Sequence, residues 1–204
     1  MDRELKELID NGLKLDKDFQ EQLEKVAAFH GHICGGIVMG TKMSMIALDM
    51  LGFELNKRNK DLLVFVEIGR CATDAVQVVT GCTLGKGTLK LIDYGRFAAT
   101  FYKISTGEAI RITDEDIKLQ ETGEIKKETK EELINRLVNT SNNNLFKIQK
   151  VKIHLKEEDL PGKREETIIC PVCGEMVKDN KHIYQNGKAI CKSCAIESYY
   201  ELLD

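Results

Sequence analysis

The sequence predicts an α+β domain joined to a small four-cysteine module, and three observations carry that prediction. Residues 3–51 repeat apolar side chains every three to four positions, the period of helices that bury one face. From Leu62 onward, short apolar and β-branched runs bounded by glycine turns take over, with one short helical stretch among them. Near the C-terminus, Cys170-Pro-Val-Cys173 and Cys191-Lys-Ser-Cys194 form a C-x2-C-x17-C-x2-C array.

Size and composition bound the rest. A chain of 204 residues can bury one core of ordinary domain size plus a satellite module. Its net charge of -3 gives no reason to expect attraction to nucleic acid or anionic membranes. No apolar stretch is long enough to span a bilayer, and Met1-Asp2-Arg3-Glu4 does not open an apolar signal segment. A cytoplasmic protein is the expectation. Of the 7 cysteines, four belong to the array; the other three are an odd number in a chain without an export signal. They are either buried as small apolar groups or kept for chemistry.

Residues 3–28 read as helix: Leu5, Leu8, Ile9 and Leu13, then Phe19, Leu23, Val26 and Ala27 recur at helical spacing. Asn11-Gly12 marks a break, and Asp16 or Asp18 caps the second half. A second helix covers 35–51 and stops at Gly52. Met39, Met43, Ile46 and Met50 form one stripe, and Ile37, Leu48 and Leu51 another, so this helix is central and buried. Methionine suits such a core because it fills irregular gaps. Gly35, Gly36 and Gly40 cost helix stability, which points to close approach of a neighbour or ligand.

Leu62 to Ile68 reads as a buried strand. Thr73 or Asp74 then caps a short helix from Ala75 to Thr80, closed by Gly81. Strands follow at Thr88–Asp93, Phe97–Ile104 and Glu108–Ile112, with turns at Tyr94-Gly95 and Ser105-Thr106-Gly107. Thr113-Asp114-Glu115-Asp116 is a helix-start pattern, and 120–130 is a solvated polar stretch. Leu133, Ile134, Leu137 and Val138 support a helix ending before Asn142, and Phe146 to Leu155 alternates as a strand. The domain boundaries are 1–156, a charged Pro-Gly linker at 157–169, and the cysteine module at 170–204.

In that module each C-x2-C pair aims two thiolates at one ion. Four thiolates (Cys170, Cys173, Cys191, Cys194) satisfy tetrahedral Zn²⁺ with no open position, which is a structural site; an iron–sulfur cluster or rubredoxin-type iron is the alternative. A module this small cannot bury enough surface to fold alone, so the metal is its core. Asn186-Gly187 signals a hairpin between the pairs, and Ala195 to Leu203 reads as helix. Knuckle, hairpin, knuckle, helix is the order of a treble-clef finger. His182 reads as a surface histidine. No aromatic platform or basic stripe suggests nucleic-acid binding.

The chemistry of the N-terminal portion centres on Phe29-His30-Gly31-His32-Ile33-Cys34-Gly35-Gly36. A thiol at a helix start feels the positive end of the helix, which favours thiolate at Cys34. Cys71 follows a strand, and Cys82 sits in a glycine loop just past a helix stop. A metal set drawn from His30, His32, Cys34, Cys71 and Cys82 would suit Zn²⁺ or another soft divalent ion, with an open position for substrate. Asp74 is a candidate acceptor for a histidine N–H or a general acid/base, and Lys86 a candidate for an anionic substrate. The plainer readings are three buried thiols and a supporting or core His30; His154 reads as exposed and inert. The Gly81–Thr88 loop is not a phosphate-binding P-loop, because its glycines are one residue too close and Lys86 precedes Gly87.

Four ordered motifs carry a resemblance: Phe29-His-Gly-His-Ile-Cys34-Gly-Gly, Cys71-Ala-Thr-Asp74-Ala-Val-Gln77, Thr80-Gly-Cys82-Thr-Leu-Gly-Lys-Gly87 and Asp93-Tyr-Gly-Arg-Phe-Ala98. Together they resemble the formylmethanofuran dehydrogenase E-subunit family over residues 20–155, and the cysteine finger is similar to a module found in some members. The family usually has proline where this chain has Gly35. The resemblance implies a helix–strand–helix–three-strand core on a mixed sheet, a metal-associated cleft, a homodimer and association with a molybdenum or tungsten formylmethanofuran dehydrogenase of methanogenesis. Two roles follow as expectations. One is a metal- or thiol-dependent enzyme or accessory subunit, with Cys34, Asp74 and Lys86 as its chemical groups. The other is a non-catalytic adaptor docking a partner through the finger.

Overall fold

The structure is a computed structural model that describes residues 3–57, 59–115, 128–156, 159–162, 166–196, 198–201 and 203. The chain divides into two compact units, Met1–His154 and Leu155–Asp204. Among the described residues, no helix is long and apolar enough to cross a membrane.

In the first unit the Asn11-Gly12 break separates α1 (Arg3–Asp10) from α2 (Lys17–His30). Gly12 takes φ 101°, and Asp16 is the cap of α2, accepting from the Phe19 N–H at 2.9 Å. α3 (Gly35–Met50) is the central helix: Ile37, Val38, Met39, Met43, Ala47 and Leu48 are buried on several sides of it. The methionine stripe does lie in the core, except that Met50, in the last turn, is 48% exposed.

β1 (Leu62–Val66) leads into α4, which spans Cys71–Thr80. The helix therefore starts at Cys71 and not at Ala75, and neither Thr73 nor Asp74 is its cap. Thr73 spends its hydroxyl on the Ile68 carbonyl, which leaves Arg70 as the cap position and lets the helix begin earlier. Gly81 closes it at φ 70°.

A 3-10 turn (Leu84–Lys86) and four more strands follow: β2 (Leu89–Leu91), β3 (Ala98–Lys103), β4 (Ala109–Asp114) and, later, β5 (Phe146–Lys150). The sheet order is β2-β1-β3-β4-β5. β2 runs parallel to β1 and the remaining pairs are antiparallel, so the sheet is mixed. A parallel pair needs a crossover, which α4 supplies. Tyr94-Gly95 is accordingly not a hairpin between neighbours, since β1 lies between β2 and β3; the Tyr94 and Arg96 N–H groups both donate to the Glu67 carbonyl. Thr113 and Asp114 finish β4 instead of starting a helix, and 116–127 lies outside the described residues.

α5 (Lys130–Asn139) opens on a capping box in which Thr129 and Glu132 satisfy each other's backbone N–H. A one-turn α6 (Asn142–Leu145) precedes β5, which ends at Lys150, five residues before the predicted strand end. Lys42 on α3 reaches the C-terminal end of α5, donating to the carbonyls of Leu137, Val138 and Thr140 at 2.6, 2.8 and 2.9 Å. Its burial pushes the ammonium down to about 8.

One face of the sheet presents Val64, Val66, Ala99, Phe101, Ile110 and Ile112 to the helices in a single apolar cluster. Each large side chain fully buried there contributes about 1.5–3 kcal/mol. On the other face Phe65, Thr100 and Arg111 share a register row. Beside them, buried Glu67 holds Arg111 at 2.6 Å and Arg96 at 2.8 Å.

Among its described residues, the second unit holds two small hairpins and one helical turn. β6 (Ile168–Ile169) pairs with β7 (Met176–Val177), and β8 (His182–Gln185) with β9 (Lys188–Cys191). Asn186 and Gly187 carry positive φ at the predicted tight turn. α7 covers only Lys192–Ala195, not Ala195–Leu203: Ile196 is already extended, at φ −125° and ψ 178°.

Candidate metal centre and cysteine cluster

α2 ends at His30, and Gly31 at φ 90° turns the chain while its N–H closes on the Ala27 carbonyl. Ile33 is fully buried and anchors the connection between His32 and Cys34. Cys34 is the cap residue of α3; its backbone is extended and its side chain makes no capping bond, so the thiol is available at the helix start. The ligating atoms of His30, His32 and Cys34 all lie within 4.8 Å of one another. The two imidazoles stand 4.6 Å apart at 40°.

α4 supplies the fourth wall. Gly36 and Gly40, one turn apart on α3, face Cys71, Ala72 and Ala75. A Cβ on Gly40 would fall 2.8 Å from Ala75 Cβ and 2.9 Å from the Ala72 backbone. The glycines thus let two helices approach more closely than any side chain would permit, and so bring Cys71 to Cys34. The same packing sets Asp74 against His30, with Nδ1 to Oδ2 at 2.7 Å. That partner fixes Nδ1, and the opposite nitrogen, Nε2, is buried with no hydrogen-bond partner among the described residues. A carboxylate-held histidine with its other nitrogen bare is the arrangement of a metal-ligating imidazole. With Cys34 as a soft donor, the residues fit a divalent ion.

The thiols here are not equivalent. Burial pushes the Cys71 thiol up, and the neighbouring Cys34 and the Asp74 carboxylate push it further. Cys82 is raised by burial.

In the second unit the four sulfurs of Cys170, Cys173, Cys191 and Cys194 also lie within 4.8 Å of one another. Cys173 and Cys191 sulfurs are 3.8 Å apart, and the Cys191 N–H donates to Cys170 Sγ at 3.4 Å. Backbone N–H groups of Cys173 and Cys191 hold the Cys170 thiol down to about 6. Cys194 is pushed up to about 12, chiefly by Cys191 beside it. Such crowding of sulfurs is relieved by a cation at their centre, so the cluster fits a metal ion. His182 lies on β8, half-buried, with Nδ1 unpartnered among the described residues and its ring edge-on to Tyr184.

A family model described as "FmdE, Molybdenum formylmethanofuran dehydrogenase operon" matches residues 29–153. The chain belongs to the FmdE family. A solved FmdE-like protein of the tungsten formylmethanofuran dehydrogenase type, from Syntrophus aciditrophicus, is similar at 28% identity and a TM-score of 0.63, over 90% of this chain and 95% of that one. A probable S-adenosyl-L-methionine-binding protein of Archaeoglobus fulgidus is 40% identical over 93 residues. Those residues are 44% of this chain and only 25% of that relative's length.

The FmdE region thus begins at the His30–Cys34 segment and ends before the cysteine finger. Within it the structure gathers His30, His32, Cys34, Cys71 and Asp74. Cys82 and Lys86 stand apart from them. Both follow Gly81, at the far end of ten-residue α4, whose length separates them from Cys71 by roughly 15 Å along the axis. Cys82 is 1% exposed in the apolar core and its thiol donates to the Leu62 carbonyl at 3.6 Å. Lys86 is exposed, and Nζ donates to the Gly81 carbonyl at 3.1 Å. Reading the sequence also underrated His30, whose pairing with Asp74 joins positions 44 residues apart. The close approach expected at Gly36 and Gly40 is there, and the neighbour is α4.

Proposed function

We propose that this FmdE-family chain holds one divalent ion, Zn²⁺ or a similar borderline-soft ion, on His30, His32 and Cys34. Cys71 is a further donor at the edge of that set. The observation that carries the reading is the buried, unpartnered Nε2 of His30, whose ring Asp74 fixes from the other side. When bound, such an ion polarises a carbonyl or activates water. The chain's own part is to orient the ligands: Asp74 fixes the His30 tautomer, and the α3–α4 contact sets Cys34 and Cys71 side by side. Phe29, 61% exposed next to His30, offers an apolar rim to a substrate. The role this supports is an accessory subunit or metal- and thiol-dependent enzyme of one-carbon or related redox metabolism in the cytoplasm. The finger's Cys170, Cys173, Cys191 and Cys194 hold a separate, structural Zn²⁺.

Metal analysis of the full chain, expressed with zinc or iron supplied, tests this. Two equivalents per chain are expected for the wild type and one for His30→Ala or Cys34→Ala. A second equivalent that survives both substitutions removes the site.

A second reading, a homodimeric adaptor that docks a larger dehydrogenase, is favoured by one feature. The finger carries exposed Val172, Met176, Tyr184 and Ile196, an unusual load of apolar surface for so small a unit. Pull-down of a dehydrogenase by the wild type against Val172→Glu and Tyr184→Glu tests whether that surface docks it. Recovery unchanged by both substitutions counts against it.

A further inference from the structure

Cys34 and Cys71, besides their part as donors, border one gap between α3 and α4. Both are unpaired thiols and both are partly accessible, unlike Cys82. A Cβ built on Gly36 would lie 3.6 Å from Cys71 Sγ and 3.7 Å from Cys34 Sγ, and 2.9 Å from Cys71 Cβ. The two sulfurs therefore border one gap that the glycine leaves empty, with no side chain from that position between them. The backbone-tight contact of Gly40 with Ala72 keeps the helix starts from drifting apart.

We propose that Cys34 and Cys71 are a dithiol redox site: exchange with a small-molecule disulfide links them, and the link withdraws Cys34 from the metal set. One of the pair, as thiolate, attacks a sulfur of RS–SR; the S–S bond breaks and RS⁻ leaves. The other thiolate attacks the resulting mixed disulfide, forming the Cys34–Cys71 bond and expelling the second RS⁻. The two thiol protons end on the two RS⁻ groups, and two electrons pass from the protein to the small disulfide. The link itself stands without a metal; only the release of metal rests on the reading of the site given above.

The test uses the full, zinc-loaded chain and oxidised glutathione. Peptide mapping of the wild type should show a Cys34–Cys71 cross-link, with loss of two hydrogens, reversed by dithiothreitol. A chromogenic chelator should record one equivalent of zinc released per chain while the finger keeps its own. Cys71→Ser should stop at a glutathione adduct on Cys34, and Cys82→Ser should behave as the wild type. Adduct alone in the wild type, or a link from Cys34 to Cys82, overturns the proposal. A cross-link formed in a chain that never held the second zinc sustains the dithiol and sinks the metal reading. A cross-link that leaves a bound second zinc in place sinks the withdrawal of Cys34.

Discussion

Replacing Gly40 with alanine tests the packing on which the site depends. In an exposed helix interior the change would stabilise by about 1 kcal/mol. Here the new methyl would sit 2.8 Å from Ala75 Cβ and 2.9 Å from the Cα and carbonyl oxygen of Ala72. Two of those three atoms are backbone, so no rotamer change relieves the clash, and α4 must move away from α3. Overpacking of this kind costs about 1–3 kcal/mol. The upper part of that range applies, and after the helix gain a net loss of about 1–2 kcal/mol is expected. For a chain of this size that is roughly 2–8 °C in melting temperature. Gly35→Ala is the control: its methyl would first meet the flexible ends of Leu133 and Leu137, at 3.2 Å each, and should stay within about 0.5 kcal/mol of the wild type. Urea unfolding followed by helical circular dichroism, at fixed zinc, gives both values. A Gly40→Ala chain as stable as the wild type, with an unchanged denaturant slope, would show that α3 and α4 are not packed backbone to backbone.

Three further outcomes are open to measurement. Because Lys42 titrates near 8 when folded and at the ordinary 10.5 when unfolded, the unfolded chain holds the extra proton between those values, and stability should rise with pH across that window. Lys42→Met should abolish the rise and cost about 1–2 kcal/mol at pH 7, since three carbonyls lose their donor; a pH profile identical to the wild type refutes it. The hydrogen bonds from Arg111 hold the Glu67 carboxyl below its usual value, so its contribution is fully present above about pH 4.5 and is lost as pH falls through the lower folded value. Glu67→Gln should therefore flatten the acid limb of a stability profile and cost about 3–5 kcal/mol at neutral pH. Cys82→Ala should lose about 1 kcal/mol as a trimmed core thiol while metal content per chain stays at the wild-type value. A lost equivalent would place Cys82 back in the site.

The helices and strands were legible because their signals are local. Apolar spacing marked α1 to α3, Asn11-Gly12 and Gly81 marked breaks, and Asn186-Gly187 marked the finger's turn. Where neighbours in sequence and neighbours in space part company, local signals misled. Tyr94-Gly95 looks like a hairpin turn, yet β1 lies between the strands it joins. Thr73-Asp74 looks like a cap, yet the Thr73 hydroxyl is drawn to Ile68 and α4 starts earlier. Ala195–Leu203 looks helical, yet Ala195 is the last residue of α7 and Ile196 is extended.

By itself the sequence determined the α+β class, the four-cysteine cluster of the finger and the presence of soft ligands in the His30–Cys34 segment. These depend on periodicity, short fixed spacings and residue chemistry. Only the tertiary structure decided which distant groups join that segment. Cys71 and Cys82 bracket the same helix and look alike as residues. The helix is rigid, and its start faces Cys34 across two glycines while its end lies in the core. One cysteine therefore reaches the candidate site and the other cannot, and Asp74, one turn in from the start, fixes the ring of His30, which the residues alone left as a supporting or core histidine.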